Sequence, residues 1–191
     1  MNRLVIRPGF VALVCCSAYF GSAQLLGVFL LAALLHELGH LAAARIMGLR
    51  VRCVILSALG AEICLEERAT SFLQDLVLSL SGPAANLLTA ALCASLGRLP
   101  ILLGASLLLG GFNLLPILPL DGGCGMYALL SHLGSCAWAE RLMRWLSRAF
   151  SLAVLLCGAL VLALDGGKPS LLILGCWLCS AAFTSKGIEC L

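Results

Sequence analysis

Residues 70–118 carry one acid, Asp75, and one base, Arg98. Nearly everything between them is apolar, and the run does not alternate polar with apolar residues as a half-buried strand would. Unbroken apolar windows of about 20 residues fit helices that satisfy their own backbone in a bilayer. Comparable windows cover 8–22, 24–47, 148–164 and 169–186, and the long run divides at Gly97–Pro100 into 70–96 and 100–118. Only 11% of the chain is charged, against about 25% in soluble domains, and the mean hydropathy is +1.10. The expected fold is therefore an all-α polytopic membrane protein with about six transmembrane helices. It forms a single domain over 1–191, with its core at about 24–125.

The basic residues orient those spans. With six spans and the N-terminus inside, Arg3, Arg7, Arg45, Arg50, Arg52, Arg68, Arg141, Arg144, Arg148 and Lys186 fall on the cytoplasmic side. Only Arg98 and Lys168 fall outside, an asymmetry of the kind that sets topology at insertion. Both termini are then cytoplasmic. Merging the first two spans across Gly21, Ser22 and Gln24 would destroy the pattern, and cleavage of the first as a signal peptide is the alternative for that segment. The net charge of +3 gives no reason to expect nucleic acid.

Two segments between spans are not simple loops. Residues 49–66 hold two runs rich in Val, Ile, Leu and Cys separated at Gly60, which reads as a β-hairpin at the membrane surface. Within 121–147, "AERLMRWLSR" reads as an amphipathic surface helix whose arginines reach for headgroups. Most of the eleven cysteines, including the Cys176–Cys179 pair, sit in apolar stretches, where cysteine acts as a small hydrophobe rather than as part of a disulfide framework.

Against this background, "LLHELGHLAAARIMG" at 34–48 stands out, with two of the chain's three histidines and a glutamate in an apolar helix. Buried charge needs a partner or a metal. Positions four apart share a helix face, so His36 and His40 can bind one tetrahedral Zn2+ ion, and Glu37 can serve as general base on a water the metal activates. A catalytic zinc takes three protein ligands and keeps one open position. Of the nine acidic residues, seven lie in loops or terminal segments. Apart from Glu37, that leaves Asp121, at the end of the fourth expected span and on the cytoplasmic side. It is a third-ligand candidate, with a turn residue before Gly122–Gly123 as the other reading.

HELGH in an early span, "SGPAANLL" in the next and "NLLPILPLDGG" in the fourth together resemble the site-2 protease family of intramembrane zinc metalloproteases. The short form, lacking an inserted PDZ domain, resembles the stage IV sporulation protein FB branch. The resemblance covers about 30–125. It implies His36, His40 and Asp121 as ligands of one zinc, Glu37 as catalytic base, and a membrane-tethered protein as substrate. A sigma factor precursor activated during sporulation is the leading candidate, an anti-sigma factor or leftover signal peptide the main alternative. An inhibitory membrane partner and the lipid bilayer complete the expected partners. The chain departs from larger relatives in carrying neither a PDZ nor a CBS domain, which weakens the substrate assignment and leaves the catalytic one.

Four further positions carry expectations. Asn113, before Pro116 and Pro119, could bind the substrate backbone or cap its helix; Asn86, after Gly82–Pro83, could do the same, with a structural role favoured. Gly39 should allow close helix approach. His132 reads as a surface residue. Rival functions are a zinc transporter, which would need polar groups through both membrane halves, and a catalytically inactive binding protein, which would have lost Glu37 or a ligand.

Overall fold

The computed structural model describes residues 3–6, 22–57, 60–65, 71–165 and 170–184. Among these residues there are six helices, α1 Ala23–Ile46, α2 Phe72–Leu96, α3 Pro100–Asn113, α4 Asp121–Leu133, α5 Cys136–Asp165 and α6 Ser170–Thr184. A small sheet joins β1 Arg3–Ile6, β2 Val51–Ser57 and β3 Gly60–Leu65 in the order β1-β2-β3. The described residues divide into two compact units, one running to Asn113 and one beginning at Leu114.

In the first unit, α1, α2 and α3 pack on one another, and their interior inverts the usual rule. The buried residues of α1 are Ala32, His36, His40 and Ala44, one stripe at four-residue spacing made only of small and polar side chains. Large apolar residues point outward instead, among them Leu34 at 55% and Leu88 at 62% exposure. A helix bundle solvated by lipid looks like this, because apolar surface costs nothing there and close packing needs small residues. Ala32, Cys93, Leu102 and Ala105 fill the apolar part of this interior.

Helix α2 starts at a capping box, in which Ser71 Oγ accepts from the Gln74 N–H and Gln74 Oε1 accepts from the Ser71 N–H. It ends on Gly97 in the left-handed region, φ +60°, the conformation glycine supplies at a helix C-terminus. The hairpin expected at 49–66 forms from β2 and β3, paired antiparallel, with a register irregularity between Val51 and Cys53. Its strands are built from the β-branched and aliphatic residues that suit a pleated surface. Strand β1 pairs parallel to β2. Four residues next to Pro8 give no periodicity by which sequence could reveal such a strand.

The second unit corrects two boundaries. The expected span at 100–118 stops as a helix at Asn113, because Pro116 and Pro119 cannot continue the hydrogen-bond ladder. The chain is irregular over 114–120, and Asp121 opens a new helix rather than closing the fourth span. The expected surface helix and the span from 148 are one helix, α5, of 30 residues. At 1.5 Å per residue it is about 45 Å long, more than a hydrocarbon core of about 30 Å. One helix therefore accommodates both the arginine-rich turns and an apolar span. Arg144 pairs with Glu140 one turn away, and Arg148 lies over the Phe183 ring of α6 at 5.1 Å. Leu118, Cys124 and Met143 form the apolar core.

Among the described residues, three helices are long and apolar enough to cross a membrane: Ala23–Ile46, Phe72–Leu96 and Cys136–Leu164. Two apolar helices are shorter, Pro100–Asn113 and Leu171–Phe183. The first expected span, 8–22, lies outside the described residues. Cys53, Cys93, Cys136, Cys157, Cys176 and Cys179 carry free thiols. Cys124 is disulfide-bonded.

Candidate metal centre

His36 and His40 are both buried, 5% and 2% exposed, and face α2 from one stripe of α1. Their Nε2 atoms lie 3.2 Å apart, with the rings edge to face at 79°. Two nitrogens bound to one tetrahedral zinc at 2.0–2.1 Å would be about 3.3 Å apart. The pair is thus already spaced as two ligands of one ion.

The outer nitrogens explain why the inner ones converge. His40 Nδ1 lies 2.8 Å from the Leu78 carbonyl oxygen. A carbonyl can only accept, so Nδ1 carries the proton and Nε2 presents its lone pair. The Ser81 hydroxyl donates to the same carbonyl at 2.6 Å and lies 3.3 Å from His40 Nδ1. On the other ring, the Asn86 amide reaches His36 Nδ1 at 3.2 Å. His40 is therefore held from behind as ligating histidines are, while the outer nitrogen of His36 faces the Asn86 amide.

Room for the rings comes from what α2 lacks. A Cβ on Gly82 would lie 2.7 Å from His36 Nε2 and overlap His40 Nε2 outright. A Cβ on Gly39 would lie 2.5 Å from the Ser81 carbonyl oxygen, so Gly39 lets the α1 and α2 backbones approach, as expected. Pro83, buried inside α2, removes the N–H that the Ser79 carbonyl would otherwise accept. The cradle is a glycine pair on crossing helices, filled by imidazole.

Glu37 is half-buried on α1, one position from His36 and so about 100° around the helix. In the second unit, Asp121 occupies the first turn of α4 and is half-buried. A carboxylate there is favoured by the exposed N–H groups and dipole of the helix start. Gly122 and Gly123 are required beside it: a Cβ on Gly122 would lie 2.8 Å from Leu114 Cα, and one on Gly123 would lie 2.5 Å from Ile117 C. The segment after Asn113 thus folds directly onto the first turn of α4, and Leu118 N–H donates to Ser147 Oγ at 2.9 Å. Two imidazoles and a carboxylate are, in kind and number, a donor set for a single zinc ion.

The other expected residues fall as follows. Asn86 is completely buried and engaged with His36. Asn113 ends α3, and its Nδ2 donates to the Leu109 carbonyl at 3.1 Å, the contact a helix-end cap makes. His132 is exposed. Sequence reasoning passed over Ser81 and the Leu78 carbonyl. A serine and a backbone oxygen carry no signal there, although "SGP" marked the spot where the ladder loosens.

Residues 24–100 match the model of peptidase family M50. The M50 segment contains His36, Glu37 and His40. The chain is 26% identical over 149 residues to the zinc metalloprotease MJ0392 of Methanocaldococcus jannaschii, an alignment covering 72% of this chain and 43% of that protein. It is 39% identical over 114 residues to Rip3 of Mycobacterium tuberculosis H37Rv, covering 50% of this chain and 28% of Rip3. The chain thus spans less than half the length of these curated relatives. Its fold is that of the solved site-2 protease from Methanocaldococcus jannaschii, with a TM-score of 0.69, 22% identity, and coverage of 98% of this chain and 92% of that one. The sequence likenesses are to peptidase family M50 and to zinc metalloproteases, the structural likeness gives the fold, and with the apolar helices they support an integral membrane protein.

Proposed function

We propose that the chain is an intramembrane zinc metalloendopeptidase. The observation that carries this reading is the convergence of His36 and His40 Nε2 at 3.2 Å over a glycine that leaves them room. In this reading His36, His40 and Asp121 hold the ion, and Glu37 is the catalytic base. Zinc, when bound, supplies Lewis acidity to a water and to a carbonyl oxygen. Glu37 accepts the proton of the attacking water on its carboxylate and returns it to the leaving amine. The lipid-facing leucines and small-residue interior keep bulk water away, so charge developing during reaction is felt by the fixed dipoles around it.

The substrate is a membrane-embedded or membrane-tethered protein. A helix hides its carbonyls in hydrogen bonds, so a substrate must be unwound before attack. Strand β3 lies at an edge of the β1-β2-β3 sheet, where an extended segment can pair. The resemblance of this short form to the sporulation branch favours a sigma factor precursor, with termini in the cytoplasm as the arginine asymmetry indicates and an inhibitory membrane partner to hold the enzyme in check. Asn113 serves mainly to end α3, and substrate contact is the lesser part of its role. The test is co-expression with membrane-tethered precursor proteins, comparing the parent with Glu37→Gln and sequencing product termini. Cleavage should vanish in the variant while zinc stays bound; full cleavage by Glu37→Gln would overturn the mechanism.

A further inference from the structure

Asn86 is completely buried, and its Oδ1 has no hydrogen-bond partner while its Nδ2 faces His36 Nδ1. A buried amide oxygen left unsatisfied costs about 1–3 kcal/mol, so a chain that keeps one there needs a reason. The proton positions supply it. With Asn86 Nδ2 donating to His36 Nδ1, the proton of His36 sits on Nε2 and donates to His40 Nε2 at 3.2 Å, and His40 Nδ1 donates to the Leu78 carbonyl. The chain of donors is complete without a metal. Once His36 gives Nε2 to a cation, its proton must stand on Nδ1, which then needs an acceptor.

A half-turn of the Asn86 amide exchanges its two ends in the same volume and brings Oδ1 to His36 Nδ1. An amide can both donate and accept in that position, whereas an ionised aspartate only accepts and leucine does neither. Space is held for the amide by Gly110 on α3, where a Cβ would lie 3.1 Å from Asn86 Cβ and 3.3 Å from the Pro83 carbonyl oxygen. We infer that Asn86 is a positioning residue, an amide that reverses to serve both tautomers of His36 and thereby fixes the ring for metal binding. This replaces a role in holding substrate and rests on the reading of His36 as a zinc ligand.

The test is zinc affinity of the full chain in detergent, measured by competition with a chromophoric chelator. The variants are Asn86→Leu, Asn86→Asp and His36→Ala, each checked for folding by size-exclusion chromatography and circular dichroism. Removing a partner of this kind costs about 10–100-fold in metal affinity. Asn86→Leu should lose that much, and Asn86→Asp, which still accepts from Nδ1, should stay within about threefold of the parent or bind more tightly. A purely packing role predicts the reverse order, since leucine fills the apolar volume and a buried carboxylate does not. Parental affinity in Asn86→Leu overturns the proposal, and so does an equal loss in both variants. If Asn86→Leu does not fold, a tenfold loss in Asn86→Asp alone overturns it. Parental affinity in His36→Ala would instead show that zinc is bound elsewhere, and the failure would be that of the zinc reading.

Discussion

Two helix pairs in this molecule use the same packing device for different ends. Where α1 crosses α2, a Cβ on Gly39 would meet the Ser81 carbonyl, and one on Gly82 would meet the two imidazoles. Where α5 runs against α6, a Cβ on Gly158 would lie 2.7 Å from Leu172 N, and one on Gly175 would lie 2.6 Å from Leu155 Cα. In the second pair the space of each missing side chain is taken by the facing backbone, and the result is contact area alone. In the first, part of that space is taken by polar rings whose outer nitrogens are held by Leu78, Ser81 and Asn86. Close approach is a packing solution in one unit and the wall of a candidate metal centre in the other.

The comparison can be broken first at Gly82. Gly82→Ala should reduce zinc affinity by more than 100-fold, because the new methyl overlaps both ligand nitrogens and α2 cannot retreat without losing its hold on His40. Zinc content of the purified protein reads this directly, and near-parental zinc would dissolve the distinction between the pairs. Gly158→Ala should leave zinc content unchanged. It should lower the free energy of unfolding by about 1–3 kcal/mol, the usual effect of overpacking, in a denaturation series in detergent. Ser147→Ala should cost about the same or somewhat less, since it strands the buried Leu118 N–H. At the small end, removing the partly exposed Arg144–Glu140 pair by Glu140→Ala should change stability by less than about 1 kcal/mol.

How much of this could be read beforehand follows the same division. His36, Glu37 and His40 announced themselves because polar residues in an apolar helix demand an explanation, and Asp121 because few acids compete with it. Asn86 was visible, but its function depends on which ring atom it faces, and only the packing of α2 on α1 reveals that. Gly158 and Gly175 gave no sign, since a glycine in an apolar run looks the same whether or not a backbone lies against it. The continuity of α5 was hidden by Arg141, Arg144 and Arg148, which lower hydropathy without opposing helix formation. The prolines signalled a break in α3, although the expected span ran on to 118, whereas the immediate restart at Asp121 gave no signal, because Gly122 and Gly123 are poor helix formers. They are tolerated there only because the preceding segment packs onto them.

One zinc ion on His36, His40 and a carboxylate is the feature on which the proposed function depends. X-ray absorption at the zinc edge, on Glu37→Gln protein purified without added chelator, tests it most directly, because the chain also has free cysteines that could bind the metal. The account predicts a shell of nitrogen and oxygen at about 2.0–2.1 Å with imidazole scattering, lost in His40→Ala. A sulfur shell at about 2.3 Å, or zinc that survives His40→Ala, would contradict it.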